Sequence, residues 1–194
     1  CGGTTEEDVC GICGGSGTVD NCGICDDDLN NDCHVNNYQI GHRLHMDHQN
    51  FEFEYCYPPA LSGVGFKLAD YSGKIFMIEM SASWWAPCYA SIPEGEEIYN
   101  KWLDYDTVKN IHVLDDIGQP LSCASWGDAG TEGIPTIIDG TSITDNSLIR
   151  NWFPADPGSG ALYPITIFIN HEMQIEGIYH SSLQKEDVDY IIQG

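Results

Sequence analysis

Six of the nine cysteines lie in the first 33 residues of this 194-residue chain. That stretch is rich in glycine and aspartate and nearly devoid of large apolar side chains, so it cannot bury a core of its own. The chain therefore divides into a cross-linked or metal-ordered arm over 1–33, a polar joint over 34–40, and a domain over 41–194 long enough for one good core. The arm repeats itself: Asp8-Val9-Cys10-Gly11-Ile12-Cys13 returns as Asp20-Asn21-Cys22-Gly23-Ile24-Cys25.

Two chemistries suit those cysteines. The pairs Cys10/Cys13 and Cys22/Cys25 supply four thiolates, enough for a tetrahedral zinc ion. The segment between the pairs is shorter than usual ribbon spacing, however, and Cys1 and Cys33 stand in register with the repeat. A ladder of disulfides accounts for all six, with Cys1–Cys10, Cys13–Cys22 and Cys25–Cys33 as the preferred connectivity among many. Such cysteine density points to an oxidising compartment: extracellular, periplasmic or cell-surface. A c-type haem is excluded, since neither C-x-x-C is followed by histidine. Oxygen donors crowd the same stretch. Asp8 and Asp20 precede the C-G-I-C units, and Asp26, Asp28, Asn30 and Asp32 fall between the last two cysteines, which suits calcium without matching an EF-hand. The arm resembles the short Asp/Cys/Gly repeats of secreted proteins, including the thrombospondin type 3 class. That resemblance implies calcium held between sequential disulfides; an acidic linker braced by disulfides alone is the alternative.

Seven Lys and Arg stand against 30 Asp and Glu, a formal net charge of -23. A surface so acidic repels phosphate backbones and anionic lipid, so nucleic acid and membrane surfaces are poor partners, whereas divalent cations and other proteins are compatible. No apolar run approaches the ~18 residues of a membrane span. Nor is there a basic segment followed by an apolar one, so any export signal is expected outside this sequence.

Periodicity orders the main domain. Phe51–Tyr55 alternates as a strand, and Lys74–Met80 is a short apolar run suited to a buried central strand. Pro87–Leu103 reads as a helix interrupted by Pro93, Ile111–Leu114 as a strand, and the region of Cys123 as the start of another helix. Pro164–Ile169 and Gln174–Tyr179 form a hairpin, followed by a helix over Glu186–Ile192. This order predicts an α/β sandwich around a mixed sheet. The insertion 131–160, rich in Gly, Asp and Pro and carrying Trp152 and Phe153, reads as a binding flap or contact surface. Trp84, Trp85 and Tyr89 are expected at the same end of the sheet, as packing or as interface anchors.

The segment Ser83-Trp84-Trp85-Ala86-Pro87-Cys88-Tyr89-Ala90-Ser91-Ile92-Pro93-Glu94 resembles the active-site turn of TlpA/ResA-type redoxins. In that family a strand leads into A-S-W-C-x-P-C and then a helix with Met-Pro-Glu one turn on. Ala69–Lys74 is similar to the family's approach to the central strand, and Tyr163-Pro164-Ile165-Thr166 stands where it places a cis-proline, with Pro135-Thr136 as rival. The resemblance covers most of the main domain and implies a thioredoxin-like α/β/α sandwich built for thiol–disulfide exchange. Here the sequence departs. Exchange needs a thiolate at the exposed helix N-terminus and a second thiol three residues on to resolve the mixed disulfide. The attacking position is Trp85, and Cys88 alone survives.

Cys56 and Cys123 are the remaining candidate partners for Cys88, as a redox couple or a structural bridge. Separately, His42, His45 and His48 recur every third residue beside Asp47, a spacing that suggests a copper or zinc site in a tight turn, or merely a solvated loop. Three functions follow as expectations. The first is a secreted, non-catalytic thioredoxin-fold protein for binding or assembly, self-associating through its arm. The second is a thiol oxidoreductase or peroxidase using Cys88 with Cys123 or Cys56. The third is a metal carrier using the histidines.

Overall fold

The computed structural model describes residues 6–19, 25–26, 37–131 and 136–193. In the arm, β1 (Thr18–Val19) pairs antiparallel with β2 (Cys25–Asp26). Asp8 organises the preceding turn: its carboxylate accepts from the backbone N–H groups of Cys10, Ile12 and Gly17 at 2.9–3.0 Å. Cys10 and Cys13 are both disulfide-bonded. Val9 and Ile12 are exposed, as expected of a segment held by covalent and local bonds rather than by a core. Cys1, Cys22 and Cys33 lie outside the described residues, and the predicted connectivity with them.

The main domain is built on a seven-stranded mixed sheet ordered β4-β3-β7-β6-β5-β8-β9. Its strands are β3 (Phe53–Tyr57), β4 (Gly65–Phe66), β5 (Ile75–Ala82), β6 (Val108–Asp115), β7 (Ile137–Asp139), β8 (Ile165–Ile169) and β9 (Ile175–Tyr179). Strands β5, β6 and β7 are parallel, while β3, β8 and β9 pair antiparallel with their neighbours. Phe76 to Ala82 are all buried because β5 is covered on both faces, which is why it reads as a continuous run rather than an alternation.

Register assigns the faces. Ile78 opposes Ile111 and Ile167, Met80 opposes Val113, and Val113 opposes Ile138. These side chains form one core with Phe53, Tyr38, Leu44, Trp152 and Phe153. On the other face Met77, Ile98, Trp102, Phe168 and Val188 pack under α3 (Ile92–Trp102) and α5 (Lys185–Gln193). Nearer the C-terminal ends of the parallel strands, Cys88, Ile92, Leu114, Trp126 and Ile137 pack under α2 (Ala86–Ala90) and α4 (Cys123–Gly127).

Three expectations change. Trp152 and Phe153 are 1% and 4% exposed, so they fill the core instead of presenting a contact surface. The insertion between 131 and 160 supplies β7 and a 3₁₀ turn over Ile149–Trp152. Tyr38, inside the segment read as a joint, is fully buried and its N–H donates to the Trp152 carbonyl, so the domain begins before 41. The predicted helix over 87–103 is two helices breaking at Ser91, because Pro87 and Pro93 each sit in a first turn, where the missing N–H costs nothing.

Candidate functional site

The chain leaves β5 through Ser83 and Trp84 and enters α2 with Trp85 as N-cap. The Trp85 carbonyl accepts from the N–H groups of Cys88 and Tyr89 at 3.0 and 3.3 Å, which starts the helix and fixes the spacing of 85 and 88. Trp85 is 41% exposed at this mouth and Cys88 is 0% exposed beneath it. Burial is the main cause that pushes the Cys88 thiol up, and the charge of Glu79 adds to it; the Ala82 backbone and Ser81 side chain pull the other way and lose. Cys88 is thus a protonated, sheltered thiol at neutral pH, the opposite of what nucleophilic sulfur requires.

The other two sulfurs of the domain are joined to each other. Cys56 on β3 and Cys123 at the start of α4 form a disulfide across a separation of 67 residues, which leaves Cys88 as the unbridged thiol of the domain. The spacing of the three cysteines carried no signal for this choice; it follows from α4 packing against β3.

The surface around Trp85 is a groove of about 250 Å³ lined by Trp84, Trp85, Gly160, Ala161, Leu162 and Tyr163. Trp84 meets Trp85 and Tyr163 edge to face, with ring centroids 5.8 and 6.1 Å apart, and its indole N–H donates to Asp116. The Tyr163–Pro164 peptide bond is cis and lies at the end of this wall. Pro135 lies outside the described residues.

Behind the wall is a group that sequence reasoning missed. Asp115, the last residue of β6, is 1% exposed and accepts from the Tyr163 hydroxyl through Oδ2. Its Oδ1 has no hydrogen-bond partner. The Arg150 guanidinium lies over the Tyr163 ring, but its donors go to the carbonyls of Leu162, Phe153 and Pro154 at 2.6–3.0 Å. Burial, reinforced by the charges of Asp116 and Asp139, therefore pushes the Asp115 carboxyl up to about 6, against the opposing bond from Tyr163. The consequence for stability follows from linkage. A carboxyl whose folded value is raised stabilises the fold fully below about pH 4, and that contribution is lost as pH climbs through about 6. Relative to Asp115→Asn, the wild type should lose roughly 2 kcal/mol of unfolding free energy between pH 4 and pH 7, measured by denaturant titration of both proteins. The only sequence signal was an acidic pair, Asp115-Asp116, ending a buried strand.

A second buried polar pair faces the helices. Glu79 and His112 oppose each other on β5 and β6 and line a small cavity with Ser91, Tyr99, Asn110 and Trp126. Glu79 accepts from Ser91 and Ser182, and His112 Nε2 accepts from the Trp126 indole.

The structure does not bring the three histidines together. His42 Nδ1 accepts from the Gln39 N–H, and His45 Nδ1 accepts from the Asp47 N–H at the start of α1 (Met46–Asn50). His48 is buried, bonded to the Tyr38 hydroxyl and stacked 3.9 Å from Trp152, and burial lowers it to about 4. It is core, where a loop was expected. Among the described residues no group of three metal-ligating side chains converges. Of the calcium candidates, the Asp8 carboxylate accepts from three backbone donors, while Asp20, Asp28, Asn30 and Asp32 lie outside the described residues. Asp26 is placed by its backbone in β2. Among the described residues no helix is long and apolar enough to cross a membrane.

No protein-family model matches the sequence, and no curated protein matches it significantly. Solved structures do match the fold. An exposed lipoprotein thioredoxin of Streptococcus pneumoniae superposes with a TM-score of 0.51 at 19% identity, covering 74% of this chain and 97% of that one. A thiol:disulfide interchange protein of Chlorobium tepidum gives 0.53 at 20% identity, covering 68% and 86%. A mutant of Xylella fastidiosa PrxQ gives 0.57 at 14%, covering 80% and 93%. At these identities the likeness is one of architecture, and with the mixed seven-stranded sheet and the β5–α2 turn it makes the main domain a thioredoxin-like α/β fold.

Proposed function

We propose that the chain is an extracytoplasmic thioredoxin-fold protein that does not perform C-x-x-C exchange and instead holds a protein partner through the aromatic groove beside Pro164. One observation carries the reading: an exposed indole stands at position 85, while the neighbouring sulfur of Cys88 is fully buried. An indole neither attacks a disulfide nor forms one, and a thiol raised by burial does neither at useful rates. Half-exposed Trp84, Trp85 and Leu162 give such a groove the apolar anchors that protein interfaces favour. The cysteine density of the arm supports an oxidising compartment, and we read the arm as a disulfide-braced spacer that carries self-association, with calcium as its cation. Chromatographic size with and without chelator checks this last part; an unchanged monomer in both removes it.

The reading is tested by turnover. With a dithiol and a protein disulfide, or with a peroxide, wild type and Cys88→Ser should both match buffer. Turnover in the wild type that vanishes in Cys88→Ser overturns it. A second reading has one observation in its favour. Cys88 shares its apolar cluster with Cys56 and Cys123, so a Cys88 thiolate attacking that disulfide would form one new S–S bond and release one thiol. That oxidoreductase reading requires the turnover just described.

A further inference from the structure

We propose that the partner segment held at the aromatic groove is cationic: an extended stretch that seats an apolar side chain beside Trp85 and, two residues along, an arginine or lysine on Asp116. The inference rests on reading the groove as the binding face and adds the chemistry of what is bound there. Trp84 is 52% exposed and borders two depressions. One is the apolar groove of about 250 Å³, which suits a leucine or phenylalanine side chain. The other, broader and about 780 Å³, is floored by the turn 116–120. Side chains two apart lie on one face of an extended chain, about 6.6 Å from each other, so a pair of them straddles a single indole.

The second depression favours positive charge. Asp116 is exposed, and its Oδ2 accepts from the Trp84 indole N–H, which leaves Oδ1 for an incoming donor. Its backbone holds φ at 55°, a left-handed conformation that Asp and Asn adopt more readily than most side chains. Asp115 and Asp139 add negative charge behind it. The cation acting there, Arg150, is 2% exposed and spends its donors on the Leu162, Phe153 and Pro154 carbonyls. None of the seven Lys and Arg side chains lines either depression. A guanidinium on Asp116 therefore meets an uncompensated carboxylate and lies against the exposed Trp84 ring, which adds cation–π attraction. A second copy of this chain is a poor source of that group. Its net charge is -23, its Lys67, Lys101 and Lys185 are paired with Glu52, Asp189 and Glu186, and Lys109 lies over Tyr71. The complement is a basic segment of a different protein.

The probes are two peptides, acetyl-Gly-Leu-Ser-Arg-Gly-amide and its counterpart with Gln in place of Arg, titrated into ¹⁵N-labelled protein at pH 7.5 and low salt. Five tryptophans give five indole N–H signals, so the spectrum reports which rings are touched. The Trp84 and Trp85 signals should shift saturably, with the arginine peptide binding about fivefold more tightly than the glutamine one. Salt at about 0.5 M should reduce that preference to less than about twofold. Asp116→Asn keeps the backbone preference and an acceptor for the Trp84 indole but loses the charge, so it should bind the two peptides alike. Asp104→Asn, an exposed carboxylate ahead of the other end of β6, should keep the preference. Equal binding of both peptides to the wild type overturns the cationic partner and leaves the groove reading standing. A preference that survives Asp116→Asn overturns it as well. No shift at Trp84 or Trp85 with either peptide contradicts both.

Discussion

Trp85→Cys should raise disulfide reduction from the buffer rate by at least about two orders of magnitude, because it places a second thiol where the fold already presents one reactant's seat. Position 85 is the N-cap of α2, and its carbonyl bonds to the N–H of Cys88, so the two side chains are set one helical turn apart. The site is open to solvent at 85 and closed at 88, which is the asymmetry an attacking and a resolving thiol require. Dithiol-driven reduction of a chromogenic disulfide measures the gain. Trp85→Ser is the control, since it removes the indole without adding sulfur and should stay at background. Equal gains in both would mean that the indole merely blocks access to Cys88. No gain in a folded Trp85→Cys protein would mean that the turn cannot support exchange at all.

The largest stability effect is expected from the double variant Cys56→Ala/Cys123→Ala. The bond closes a loop of 67 residues, and in the chain-entropy account its loss costs about 4 kcal/mol. For a domain of this size that is a fall in melting temperature of about 10 °C. It also unties α4 from β3. The substitutions are made together because one alone would leave a free thiol beside Cys88 in the same cluster. Denaturant unfolding of both proteins gives the difference. A loss below about 1 kcal/mol would show that packing of Trp126 and Tyr57 already holds α4 without the bridge.

The elements that sequence reading found are those whose pattern is local. Ile75–Ala82 is a mostly apolar run that follows the turn at Gly73, and the hairpin from Ile165 to Tyr179 is two such runs with a short turn. The end of α2 was visible as proline, although the break falls at Ser91 because Pro93 starts the next helix. What was hidden depends on partners far away in sequence. Ile137–Asp139 is too short to show a period, and it is a strand because β3 and β6 flank it. His48 looked like a loop residue or a ligand until Trp152 and Tyr38 closed on it from 104 residues ahead and ten behind. At the site, Trp85 and Cys88 were legible because one helical turn sets both. The Cys56–Cys123 bond and the Asp115–Tyr163 contact were not, since each joins residues at least 48 apart.

Native-state labelling of Cys88 tests the proposed loss of exchange most directly. A disulfide reagent that leaves a mixed disulfide is added to the folded protein at pH 7, and the modified peptide is followed by mass spectrometry. A thiol that is fully buried and raised by burial should react only as fast as the domain opens, with the Cys56–Cys123 bond intact throughout. Rapid, stoichiometric labelling at Cys88, or its appearance in a bond to Cys56 or Cys123, would contradict the account.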